Sequence, residues 1–253
     1  MLLTRTALAA TSLLAVVTIA PTAHGQGKFP PDSLINVKVI PKSTPVRDVI
    51  LSMRLIATGL GVRCTYCHVG EESAPLSAYD FTSDEKRTKQ VARVMMQMVN
   101  AINGQHLTTV PARPSPALSV TCETCHRGVA RPEPIERIVE AAMATGGLDS
   151  ATRAYKNLLA RYERRGAYNF TDVPLSFMAG QFAQQNRFDE ALNLLTLNEE
   201  THPQSPAVPF TRGNILMARN DTTGAIAAFR AALQRDSAFA PARAALRALG
   251  RLP

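Results

Sequence analysis

The four cysteines of the 253-residue chain fall in two Cys-x-x-Cys pairs, Cys64 with Cys67 and Cys122 with Cys125. Each pair is followed at once by histidine: Cys64-Thr65-Tyr66-Cys67-His68 and Cys122-Glu123-Thr124-Cys125-His126. This is the attachment signature of c-type haem. Two thiols three positions apart can add across the two vinyl groups of one porphyrin, and the next residue places an imidazole beneath the iron. Disulfides, a four-cysteine zinc site and a redox dithiol compete for such pairs. None of them calls for a histidine in both places, and the chain has only five histidines. Cys64, Cys67, Cys122 and Cys125 are therefore read as tethers for two covalent haems, with His68 and His126 as iron ligands.

Helices must position these motifs. Lys28 to Ile40 is polar and Pro-rich, then weakly strand-like from Leu34, and reads as an extended arm or edge strand. Thr44 suits an N-cap and Pro45 a first helical position. Val46, Val49, Ile50, Met53, Ile56 and Ala57 then keep helical spacing, and Gly59 and Gly61 end the helix just before Cys64. After a polar loop from Gly70 to Asp80, Ser83-Asp84-Glu85 reads as the start of a second helix, with acid in its first turn. Val91, Val94, Met95, Met98, Val99 and Ile102 line one side of it, and Gly104 marks its end. Val110 to Ser119 holds three prolines and reads as a loop. The same unit thus occurs twice: amphipathic helix, loop, haem motif.

A methionine on each helix could supply the sixth iron ligand. Met53 is the one candidate in the first unit, while the second offers Met95, Met96 and Met98. Met95 and Met98 share a face and Met96 points elsewhere. Adaptable core filler is the other use of these methionines. His106, just past the helix end, is a rival sixth ligand for the second haem.

The stretch 36–132 resembles the cytochrome c subunit of the photosynthetic reaction centre. The segments that carry the resemblance are Gly61-Val62-Arg63-Cys64-Thr65-Tyr66-Cys67-His68, Val91-Ala92-Arg93-Val94-Met95-Met96-Gln97-Met98 with Ala101-Ile102-Asn103, and Val120-Thr121-Cys122-Glu123-Thr124-Cys125-His126-Arg127-Gly128. The resemblance implies repeated helix-loop-haem units, each haem drawing a methionine from a helix: Met53 for the first and Met95 for the second. The family's well-known members carry four haem motifs and are commonly membrane-attached. This chain has two motifs and no cysteine near its expected cleavage site.

Pro132-Glu133-Pro134 reads as a boundary, and the chain beyond it is Ala-rich with a 34-residue period. Ala179 matches Gly213, Phe182 matches Leu216, Ala191 matches Ala225 and Leu195 matches Phe229. Asn186-Arg187-Phe188-Asp189 aligns with Asn220-Asp221-Thr222-Thr223. This resembles tetratricopeptide repeats, with a degenerate unit over 135–162 and a capping helix over 241–249. The expected fold class is mainly α: a multihaem cytochrome c domain over 26–133, then an α-solenoid of helix pairs over 134–253.

Residues 1–25 read as a signal peptide. Arg5 precedes an apolar run from Ala7 to Ala20, and small residues at Ala23 and Gly25 suit cleavage after Gly25. A periplasmic or otherwise extracytoplasmic protein with no transmembrane segment in the mature chain is expected. The net charge of +8 is spread without a Lys/Arg run, which argues against a nucleic-acid surface. Four haem propionates would offset much of it. The expected role is electron transfer between redox protein partners, among them a membrane electron-transfer complex, with the repeats docking the partner. A dihaem peroxidase and a haem-containing assembly scaffold are the alternatives. No acid–base pair, nucleophile constellation or phosphate loop is visible in the second half.

Overall fold

The computed structural model describes residues 28–112 and 114–251. The segment read as a signal peptide lies outside the described residues. The chain is mainly helical, with α1 Val46–Leu60, α2 Arg87–Ala101, α3 Cys122–His126, α4 Ile135–Tyr162, α5 Val173–Gln184, α6 Phe188–Thr201, α7 Ala207–Ala218, α8 Thr222–Arg235 and α9 Ala240–Ala248. No strand occurs among the described residues. An isolated bridge between Val69 and Asp80 closes the loop that follows the first Cys-x-x-Cys-His motif.

α1 begins one residue later than its sequence suggested. Pro45 is its cap, and no side chain, Thr44 included, completes the cap. Its end follows the glycines. Gly61 takes the left-handed conformation at φ 66°, its N–H donates to Thr58 at 3.0 Å, and the Val62 N–H reaches back to Ala57 at 3.0 Å. A Cβ at Gly61 would lie 2.1 Å from the carbonyl oxygen of Gly128. The same contact brings the second motif onto α1: the Gly128 N–H donates to the Gly59 carbonyl at 2.8 Å.

α2 begins at Arg87, not in the Ser83-Asp84-Glu85 turn. Asp84 is drawn away from helix capping by cations. It receives Arg93 at 2.8 Å, Lys38 at 2.7 Å and the Asn36 amide at 2.8 Å. Nor does Gly104 end this helix; the chain runs on through a π-turn over Ile102–His106. The arm over 34–40 is not an edge strand. Asn36 turns to φ 63°, which breaks the extended run so that its side chain can bond Asp84 and the Thr82 carbonyl.

The two halves are packed differently. Between residues 28 and 134, Val49 is the one buried hydrophobic side chain among those described. From Ile135 onward a continuous core forms from α4 through α7, with Tyr155, Leu175, Leu194 and Leu195 fully buried. Phe229, Ala225, Ala232, Ala242 and Leu246 form a second cluster on α8 and α9. α4 is two segments, broken where Gly146 and Gly147 leave helical geometry.

Backbone hydrogen bonds in this half recur at an offset of 34 residues. Arg187 donates to Phe182 at 2.9 Å, and Asp221 to Leu216 at 2.8 Å. Ser176 donates to Asp172, and Phe210 to Pro206, both at 3.3 Å. Asn186 and Asn220 are both left-handed, at φ 60° and 67°. Asn tolerates that conformation better than most side chains. Arg127, directly after the second motif, reaches across to the Gly166 carbonyl at 2.7 Å and joins the two halves.

Candidate haem sites

Around the first motif the chain forms an apolar cavity of about 380 Å³. That volume falls in the roughly 300–1,000 Å³ range of ligand and cofactor pockets. Cys64, Cys67 and His68 line it. Opposite them stands α1, whose Val46, Val49, Ile50, Met53, Ile56 and Ala57 form the helical face read from the sequence. The arm contributes Leu34, Val37 and Val39, and Phe81 closes another side. The His68 ring meets Phe81 edge-on at 4.9 Å, and Phe81 is backed by Phe29 at 5.6 Å and Tyr79 at 5.8 Å. The His68 Nδ1 is buried without a hydrogen-bond partner among the described residues. Burial and then the positive charges of Lys89, Arg93 and Lys86 hold this imidazole neutral, down to about 4. A neutral imidazole is the form that binds iron.

α2 also faces this cavity, which sequence reasoning missed. Lys89, Ala92, Arg93 and Met96 line it. Their spacing of three, four and seven residues is one helical stripe. The stripe was legible in principle, but its two charges hid it from a search for apolar periodicity. The N-terminal end of α2 also fastens the attachment turn: Lys86 donates to the Thr65 carbonyl and the Thr88 hydroxyl to the Tyr66 carbonyl.

The second motif is built as a short helix. Thr121 and Thr124 form a capping box at its start, and Arg127, left-handed at φ 48°, ends it. The His126 Nδ1 lies 2.9 Å from the Val129 carbonyl, so Nε2 is the nitrogen left for a metal. The lead-in to Cys122 is clasped to the C-terminal end of α2, because the Asn103 amide and the Val120 backbone exchange two 2.8 Å bonds. Along its length α2 turns apolar side chains outward: Val91, Val94 and Met98 are 46%, 58% and 46% exposed. Met95 is half-buried and does not line the first cavity. His106 is exposed on the π-turn.

All four thiols are unpaired. Among the described residues no three His, Cys, Asp or Glu side chains converge at metal-ion spacing, so the cysteines are not drawn into one tetrahedral set. Burial pushes the Cys67 and Cys122 thiols up, away from the thiolate that a redox dithiol needs. The donors at the first motif fit a haem: two thiols, an imidazole and two thioethers around an apolar cavity. The second motif offers two thiols and an imidazole whose Nε2 is left for a metal.

A helical chain with imidazoles placed directly after paired thiols, one set of them in an apolar sulfur-lined cavity, is a c-type cytochrome. Within that class, a model of the photosynthetic reaction centre cytochrome c subunit family matches residues 15–188, and the chain belongs to that family. The match extends past 36–132 to take in α4 and α5. Covalently bound haem and electron transfer come with the membership.

Proposed function

We propose that this protein is an exported dihaem cytochrome that relays electrons between redox protein partners outside the cytoplasm. The observation that carries the reading is the first cavity, where Cys64, Cys67, His68, Met53 and Met96 converge on one apolar space in a half of the chain with almost no core of its own. A haem at each motif would store and release one electron through its iron.

The chain's residues have separable parts in this. Cys64 with Cys67, and Cys122 with Cys125, tether the two porphyrins. His68 and His126 would each give an imidazole nitrogen to a haem iron. Met53 would be the thioether donor to the first haem and Met95 that to the second. A thioether donor would close the iron to small oxidants and favour a higher potential than a second imidazole. The Gly59–Gly128 bond and the Gly61–Gly128 contact keep the two attachment segments side by side, which suits passage of an electron between the pair. The second half is read as a tetratricopeptide-like α-solenoid that docks the partner, with a domain boundary at Pro132–Pro134. No helix among the described residues is long and apolar enough to cross a membrane. A membrane electron-transfer complex enters as a docking partner in this proposal, as the family membership suggests.

The test is to reduce the purified holoprotein and expose it separately to peroxide and to oxidised acceptor cytochromes. Rapid reoxidation by the protein acceptors with negligible peroxide turnover is expected. Sustained peroxide turnover at enzyme-like rates, with a five-coordinate haem in the spectrum, would replace the relay with a dihaem peroxidase.

A further inference from the structure

Lys89 is the one buried charged side chain among the described residues, 8% exposed. Burying an ammonium is costly unless it is fully coordinated. Here Nζ donates to the Ser83 carbonyl at 2.6 Å and the Phe81 carbonyl at 2.8 Å, and lies 3.4 Å from Asp84. It therefore fixes the turn that carries Phe81, whose ring packs against His68 in an edge-to-face pair. It also brings a positive charge to the wall of the first cavity. Arg93 lines the same wall, and Lys86, at the start of α2, donates to the Thr65 carbonyl of the attachment turn. Two carboxylates answer them. Asp84 is shared among Lys38, Lys89 and Arg93, and Asp80 is engaged by the Thr82 and Ser83 N–H groups at 2.8 and 2.9 Å. The cations outnumber the anions.

The two histidines also differ. With Nε2 on a metal, Nδ1 carries the proton. At His126 it donates to the Val129 carbonyl, which makes the ring a stronger electron donor. At His68 it has no acceptor among the described residues. A weaker donor ligand and nearby positive charge both disfavour the ferric state, which carries one more positive charge than the ferrous. Both differences act in the same direction.

We propose that the two haem sites are unequal by construction, the Cys64–His68 site having the higher reduction potential, with Lys89 as the positioning residue whose charge helps set it. An electron shared by the pair then rests at the first site, and the second passes electrons towards it. This rests on the dihaem reading.

Haem content by mass is read first, then the holoprotein and its variants are titrated redox-metrically by visible spectroscopy. A variant with Cys122→Ala and Cys125→Ala assigns the first site's wave. Lys89→Met should lower the higher of the two potentials and leave the lower one in place, and Lys89→Arg should restore it. Asp84→Asn, which removes the counter-charge, should raise the same wave. A purely structural role would move both variants in one direction. Same-direction shifts, or a first-site haem that titrates at the lower native wave, overturn the inference while leaving two haems in place. One haem per chain would instead refute the dihaem reading itself.

Discussion

Two thioethers, Met53 and Met96, share the first cavity, and substitution can separate their roles. Met53 sits on the helix that ends at the motif, as the family pattern implies. Met53→Ala should therefore abolish one methionine–iron charge-transfer band and lower one potential. A band that survives Met53→Ala but disappears in Met96→Ala would give the ligand role to Met96. Met53 was legible because its helix has an unbroken apolar period. Met96 was not, because its neighbours on that stripe are Lys89 and Arg93. Asp84 shows the same blindness: in sequence it reads as first-turn acid, and only the fold gathers Asn36, Lys38, Lys89 and Arg93 around it. The Arg93 and Lys38 hydrogen bonds hold the Asp84 carboxyl well below the usual carboxylate range. A group depressed in the folded state stabilises above its unfolded value of about 4 and loses that contribution as pH falls further. Acid unfolding of the native protein should thus steepen below about pH 4. Asp84→Asn should flatten that slope and lower stability at neutral pH; unchanged acid and neutral stability would show that the cluster contributes nothing net.

Elements whose signals lie within their own segment followed the sequence closely. α1 has its expected face and glycine stop, and α7 and α8 meet at Gly213 and Phe229, two positions that the 34-residue comparison matched to Ala179 and Leu195. In the second pair, Gly213 stands opposite Phe229, where the first pair has Ala179 and Leu195. A Cβ on Gly213 would come within 2.3 Å of the Phe229 ring. Gly213→Ala should cost about 1–3 kcal/mol by overpacking. Adding Phe229→Leu should recover part of that loss, the non-additivity that contact predicts. Additive losses in chemical denaturation would show that the two positions do not share one space. The start of α2 and the arm were less legible, because side-chain bonds between segments nearly fifty residues apart decide them. Local propensity carries no information about such partners.

At the scale of the molecule, the contrast between the halves is the strongest physical fact. Residues 135–251 bury an aliphatic and aromatic core, whereas residues 28–134 bury almost none among those described. A segment of about a hundred residues needs such a core to be stable alone, and ligand binding can supply what the chain lacks. The replacement Cys64→Ala with Cys67→Ala should leave the second half cooperatively folded while the first exchanges its amides freely. Full amide protection across 28–112 in that variant would show that the haem site is not what holds the half together. A fragment of residues 26–132 should still bind both haems when matured in an exporting host; loss of both would show that the Arg127–Gly166 link and α4 are needed.

The central claim is covalent attachment at both motifs. Mass spectrometry of the matured protein under denaturing conditions tests it most directly, since thioether-bound haem survives denaturation and a bound metal ion does not. The expected mass is that of the processed chain plus two haems, with both Cys-x-x-Cys-His peptides carrying the modification after digestion. A chain with one haem, or with four free thiols, would contradict the account.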